Sequence, residues 1–172
     1  GQVGLYKAAK EMGIHTLAGT MPDNNPPCIN LADEVCYMNI ANPEEVLEKA
    51  KGLKIDGIAT CCLDTGVPAL GKVCDSLGLT GLTESAAIMC GDKLKMKKAF
   101  MEHNVSTAKF YEVSNESDLN EALEKLQLPV IVKATDLQGS NGIYISKTRE
   151  AAFEGFKEAM QKTKRSYVIV EE

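Results

Sequence analysis

The sequence predicts an α/β protein in two parts, a regular parallel half and a less regular mixed half. Three observations lead there. Through the first half, short apolar runs alternate with segments of helical spacing, the β-α-β-α order of a parallel sheet covered by helices. From about residue 90 the order of strands and helices loses that regularity. No repeat, low-complexity tract or long linker interrupts the 172 residues. Residues 1–90 and 91–172 are therefore expected as two consecutive domains.

The elements follow in order. Leu5, Ala8, Ala9 and Met12 share a helix face that Gly13 ends. His15–Gly19 reads as a strand, followed by the loop MPDNNPPCIN and a second strand over Val35–Ile40. Asn42, Pro43 and Glu45 supply a cap, a first-turn proline and a reciprocal glutamate for a helix faced by Val46, Leu47 and Ala50. IDGIATCC reads as a third strand. Leu70, Val73, Cys74 and Leu77 make a helix closed by Gly78, and LTGL reads as a short strand. Because GQVGL opens directly on a helix that needs a sheet beneath it, a first strand is expected upstream of Gly1. In the second half, Asp92 caps a helix reaching Asn104, with Met96, Ala99, Phe100 and His103 on one face. Lys109–Val113 is a strand. The cluster Ser114–Ser117 caps a helix faced by Leu119, Ala122, Leu123 and Leu126. Val130–Lys133 is a strand, Thr148 to about Lys162 a helix, and Tyr167–Glu171 a last strand.

Composition narrows the function. Hydrophobic residues make up 44% and charged residues 25%, the balance of a globular protein. The net charge of −5 argues against a general binder of nucleic acid or anionic membrane. No apolar stretch is long enough to span a bilayer, and the amphipathic opening does not read as a secretory leader. With six cysteines, no C-x-x-C pair and two histidines, a zinc site is not expected. The cysteines read as reduced core thiols of a cytoplasmic protein. His15 and His103 read as structural.

Several positions carry chemistry. In the strand Val130–Lys133, alternation puts Lys133 on the side of Ile131. A lysine on an apolar strand face wants an anion, since an unpaired buried ammonium is costly; a strand end open to water would remove that need. The loop TDLQGSNG offers glycines, a serine and backbone N–H groups, the material of an anion-binding concavity or of a plain hairpin tip. Lys93, Lys95, Lys97 and Lys98 crowd the start of a helix. They read as a solvated face, although cations there oppose the helix dipole and Lys93 beside Asp92 asks for a phosphate. Glu171 and Glu172 end a buried-type strand, as solubilisers or as the lining of an adenine slot. Asp64 and Thr65 stand at a strand-to-helix junction, where a cap and a ligand contact are both open.

In this order, D-K before a lysine-rich helix, P-V-I-V-K, a Ser/Gly loop, a capped helix and a strand ending V-E-E resemble the ATP-grasp superfamily. The same order occurs in biotin carboxylases, carbamoyl phosphate synthetase large subunits and glycinamide ribonucleotide synthetases. The stretch DTGVPALGKVCDSLGLTGLTESAAIMCGDKLKMKKAFMEHNV is most similar to carbamoyl-phosphate-synthase-like carboxylate–amine ligases. The resemblance implies a Rossmann-like pre-ATP-grasp domain over residues 1–90 and the first α+β subdomain of the ATP-grasp fold over residues 91–172. It makes Lys93 and Lys133 the phosphate lysines. The loop residues Asp136, Gln138, Gly139, Ser140, Asn141 and Gly142 become a flap over the phosphates, and Glu171 and Glu172 open the adenine hinge. Asp64 and Thr65 would face substrate. ATP, a carboxylate and an amine are the implied partners, with room for a homodimer. The implied magnesium ligands, and an arginine at the transferred phosphate, are expected beyond residue 172. The chain alone is then not expected to catalyse, and no catalytic residue is assigned. A non-catalytic nucleotide-binding or partner-binding module is the alternative. A dinucleotide oxidoreductase ranks below both, because GQVG is only part of the fingerprint G-x-G-x-x-G.

Overall fold

Side-chain oxygens of Asn42, Asp92, Asn115 and Thr148 accept hydrogen bonds from first-turn N–H groups and fix where four helices begin. The computed structural model describes residues 2–24 and 26–172. They group into two units, Gly1–Ile88 and Met89–Glu172.

The first unit holds α1 (Val3–Glu11), β1 (Leu17–Thr20), β2 (Glu34–Tyr37), α2 (Pro43–Leu53), α3 (Val67–Leu77) and most of α4 (Glu84–Cys90). β1 and β2 pair in parallel, with Leu17 opposite Glu34 and Thr20 opposite Tyr37. The core lies where Val46, Leu47 and Ala50 of α2 meet Ala69 and Val73 of α3 over Met38. α3 ends because Gly78 takes a φ of +64°, the left-handed turn that glycine adopts without strain.

Four expectations for this unit need correction. IDGIATCC and LTGL form no strands: residues 55–60 and 79–82 are irregular, although Ile58 and Leu79 still pack on the α2–α3 core. Burial alone does not make a strand, which also needs a neighbour to complete its ladder. The Glu45 carboxylate does not reach back to Asn42. It accepts instead from the Asn39 N–H at 3.0 Å, because the Asn42 N–H already bonds to the Asn39 carbonyl. Neither Asp64 nor Thr65 caps α3. Gly66 stands at the cap position without a side-chain bond, after a one-turn 3-10 helix over Asp64–Gly66. Only Cys74 is a core thiol; Cys28 and Cys36 are half-buried, and Cys61, Cys62 and Cys90 are exposed. His15 has a carboxylate partner, Glu34 Oε1 at 2.8 Å. α4 was not anticipated, although the Thr83 hydroxyl accepting from the Ala86 N–H is an ordinary helix-start signal.

The second unit holds α5 (Lys93–Glu102), β3 (Phe110–Val113), α6 (Glu116–Lys125), β4 (Val130–Ala134), β5 (Ile143–Ser146), α7 (Arg149–Lys162) and β6 (Val168–Glu171). Its strands form an antiparallel sheet in the order β3-β6-β4-β5. β6 comes last in sequence but lies inside the sheet, and all four of its residues are buried. One sheet face, with Val113, Val130, Val132, Val168 and Val170, packs on Leu119 and Leu123 of α6 and on Ala152, Phe156 and Ala159 of α7. Burying those branched side chains is the main source of this unit's stability, at roughly 1.5–3 kcal/mol for each fully buried one. Gly155 lets α7 approach β5, since a Cβ there would stand 2.8 Å from the Tyr144 Cβ. The apolar face of β4 is therefore the Val130, Val132 and Ala134 side. Ile131 and Lys133 occupy the other face and are half-buried.

Candidate functional site

That other face holds the chemistry. The register sets Glu171 of β6 opposite Ile131, and Lys133 opposite Ile169. Glu171 and Lys133 are thus diagonal neighbours on one face, a separation that long side chains bridge. The Lys133 ammonium donates to Glu171 Oε1. The second carboxylate oxygen, Oε2, lies 2.5 Å from Lys97 Nζ of α5. Lys97 Nζ also donates to the Thr107 hydroxyl at 2.8 Å and to the Ala108 carbonyl at 3.4 Å, and it sits 5.2 Å from the centre of the Phe110 ring. One buried carboxylate therefore serves two ammonium groups. Burial pushes the Glu171 pKa up, but hydrogen bonds and charge from Lys133 and Lys97 outweigh it and hold the carboxyl below its ordinary value.

Lys93 reaches the same strand from its C-terminal end. Its N–H donates to the Thr135 carbonyl at 3.0 Å, which seats the start of α5 against the residue that follows β4. Its ammonium donates to the Leu137 carbonyl at 2.5 Å, within the loop that follows. Lys93 and Lys133, distant in sequence, thus flank the beginning of the Asp136–Gly142 loop.

Asp92 anchors this arrangement. It is completely buried. Oδ1 accepts from the Leu94 and Lys95 N–H groups, while Oδ2 accepts from the Tyr167 hydroxyl at 2.8 Å and faces Arg165 Nε at 3.4 Å. Burial first, and then the bond to Asp92, raise the Tyr167 pKa. The pair ties the start of α5 to the entry of β6.

The loop joins β4 and β5 as a long hairpin. Ala134 N–H bonds to the Gly142 carbonyl, and Asn141 N–H bonds to the Gln138 carbonyl. Gly139 and Ser140, at φ +62° and +61°, form the centre of a turn with both middle residues left-handed. Gln138, Gly139, Ser140 and Asn141 are exposed, and Gly142 is buried. Asp136 points away from the tip. It accepts from the Thr163 hydroxyl and from the Lys164 N–H at 3.0 Å, which fastens the loop to the end of α7. Burial opposes ionisation of Asp136, but these bonds prevail and its pKa is lowered. Glu172 Oε1 accepts from the Gln127 N–H at 3.0 Å, outside the lysine cluster. Asp64 and Thr65, in the first unit, are exposed.

Sequence reading missed Lys97, which looked like part of a solvated face. It is 8% exposed. The signal was available, since Lys93 and Lys97 stand four apart and therefore on one helix side.

Residues 91–172 match the family described as phosphoribosylglycinamide synthetase, ATP-grasp (A) domain. The chain is similar to the crystal structure of phosphoribosylglycinamide synthetase from Anaerococcus prevotii, with 62% identity and a TM-score of 0.74 over 100% of this chain and 42% of that one. It is 33% identical over 109 residues to the alanine–anticapsin ligase of Bacillus subtilis, covering 63% of this chain and 23% of that protein. N5-carboxyaminoimidazole synthetase from Staphylococcus aureus, solved with ADP, shares the fold at 21% identity and a TM-score of 0.81, over 100% of this chain and 45% of that one. The chain spans less than half the length of each of these relatives. Through residues 91–172, the chain belongs to the ATP-grasp superfamily.

Proposed function

We propose that this chain supplies the nucleotide-phosphate side of an ATP-dependent carboxylate–amine ligase. The observation that carries the reading is the shared carboxylate: Lys97 and Lys133 divide the single negative charge of Glu171, so the three side chains together keep a net positive charge at the strand that leads into a glycine-bearing loop. A polyphosphate matches that surplus, and charge-assisted bonds to it are stronger than neutral ones. Lys93 and Lys133 would bind the phosphates, with Lys97 as a third cation. Gln138, Gly139, Ser140, Asn141 and Gly142 would form the flap, Ser140 and the backbone N–H groups acting as donors. Asp136 anchors that flap. Glu171 and Glu172 open the adenine hinge.

In the reaction a substrate carboxylate attacks the γ-phosphorus of ATP and gives an acyl phosphate, which an amine then cleaves. The protein positions the reactants and neutralises charge, and no protein nucleophile takes part. Among the described residues, no group of three or more His, Cys, Asp or Glu side chains could hold a metal ion. The magnesium that such reactions use would be held by residues other than these, and the isolated chain would then bind nucleotide without turning over. In this reading, residues 1–90 are a Rossmann-like pre-ATP-grasp domain. Asp64 and Thr65 belong to its substrate edge, and the whole enzyme acts in the cytoplasm, with room for a homodimer. The named relatives act on different substrates, so the shared step is ligation rather than one substrate pair.

Calorimetric titration of MgATP into this chain tests the nucleotide reading, and ADP release with carboxylate and amine pairs on the full-length enzyme tests the reaction. No measurable ATP binding, or equal affinity after Lys93→Ala and Lys133→Ala, would overturn it.

A further inference from the structure

Adjacent residues of an extended chain send their side chains to opposite faces, so neighbouring cysteines ordinarily point apart. Cys61 and Cys62 do not. Their Sγ atoms lie 3.4 Å apart in hydrogen-bonding contact. The cause is Cys62, whose φ of +54° falls in the left-handed region that side-chain-bearing residues rarely adopt. Both thiols are exposed, whereas Cys74 is buried. The pair sits just before the Asp64–Gly66 turn that leads into α3.

We propose that Cys61 and Cys62 form a reactive vicinal dithiol, a reversible modification site for disulfides of small thiols such as oxidised glutathione. The first step is attack by the Cys62 thiolate on one sulfur of glutathione disulfide. A protein–glutathione bond forms, the glutathione S–S bond breaks, and one glutathione thiolate leaves. Cys61 then attacks the protein sulfur of that mixed disulfide. The Cys61–Cys62 bond forms and the second glutathione leaves. The two protein thiols give up two electrons and two protons in total, and both appear in two molecules of glutathione. The hydrogen bond to Cys62, and then the charge of that neighbour, raise the Cys61 pKa, so Cys61 ionises less readily than an ordinary thiol and attacks second, once it has lost its proton. The neighbouring Cα atoms are about 3.8 Å apart, less than the roughly 5.5 Å usual for a disulfide. The closed ring is therefore strained, and excess dithiol reopens it. This inference rests on thiol geometry alone and does not depend on the ligase reading.

Trypsin releases the pair together in IDGIATCCLDTGVPALGK, residues 55–72, with no other cysteine. The test incubates the whole chain with oxidised glutathione, quenches with acid, alkylates and weighs that peptide. The expected product is a peptide two hydrogens lighter and free of glutathione, restored by dithiothreitol. Cys61→Ser should leave Cys62 carrying a glutathione adduct that does not resolve, and Cys62→Ser should slow the uptake of glutathione by the peptide. Stoichiometric phenylarsine oxide, which bridges two sulfurs, should protect the peptide from iodoacetamide, and either serine variant should abolish the protection. A stable glutathione adduct on the unmutated pair, or alkylation of both thiols as fast as the exposed Cys90 after phenylarsine oxide treatment, overturns the proposal.

Discussion

Lys97 Nζ lies 2.5 Å from Glu171 Oε2, joining the middle of α5 to the last residue of β6 through a buried ion pair. Lys133 takes the other oxygen of the same carboxylate. Two ammonium groups thus share one buried carboxylate. The consequences can be measured.

Lysine truncations should separate by role. Lys133→Ala should weaken MgATP binding by roughly 1.5–3 kcal/mol, the worth of a charged hydrogen bond, or about tenfold or more in affinity. Lys93→Ala should do the same. Lys97→Ala should lose affinity and also stability, because Lys97 bonds Thr107 and Ala108 as well as Glu171. Calorimetry and urea unfolding of each variant decide this, and unchanged stability in Lys97→Ala would contradict it.

Glu171→Gln removes the anion and leaves two ammonium groups facing each other. Breaking a buried pair in this way costs about 3–5 kcal/mol. Inorganic tripolyphosphate should restore more stability to this variant than it adds to the unmutated chain. Equal stabilisation in thermal melts would show that the cluster is not a polyanion site.

Acid should act through the same carboxylate. The folded-state pKa of Glu171 lies below its unfolded value, so its contribution to stability is present above about pH 4.3 and is lost as pH falls toward the folded pKa. Asp136, also lowered, acts in the same direction. Urea midpoints between about pH 3 and 6 should therefore fall with acid, and Glu171→Gln should flatten part of that slope. An unaltered slope would place the acid sensitivity elsewhere.

Two glycines are fixed by close approach. Gly71→Ala would bring a methyl to 2.6 Å from the Ala87 Cβ and 2.8 Å from the Thr83 carbonyl, and Gly155→Ala to 2.8 Å from the Tyr144 Cβ. Each should cost about 1–3 kcal/mol by overpacking. Gly52, inside α2 with nothing within 4 Å, should tolerate alanine and gain up to about 1 kcal/mol in helix propensity. Opposite signs in the denaturation midpoints are the expected result.

Exchange of amide hydrogens checks the flap. Gln138–Asn141 are exposed and held by few bonds, so their amides should exchange much faster than those of β4 and slow when MgATP is added. Identical protection with and without nucleotide would remove the flap from the site.

Much of this was legible in the sequence because it is local. A cap needs only a side chain and the next turn, so Asp92, Asn42 and Thr148 announced their helices. Gly78 announced a helix end. Alternation placed Lys133 and Ile131 together on β4. The ordered motifs from Asp92 to Glu172 identified the superfamily. The larger failures depended on partners far along the chain, whereas the Glu45 and Asp64 misreadings were local. IDGIATCC is as apolar as a strand, yet strand formation requires a neighbour that the local sequence cannot specify. Which face of β4 is buried depended on where α6 and α7 pack. Lys97 looked solvated until β6, the last strand in sequence, entered the middle of the sheet and brought Glu171 beneath α5. Local hydrogen bonding and periodicity are written residue by residue, whereas the pairing of charges is set by strand order, and only the folded sheet fixes that.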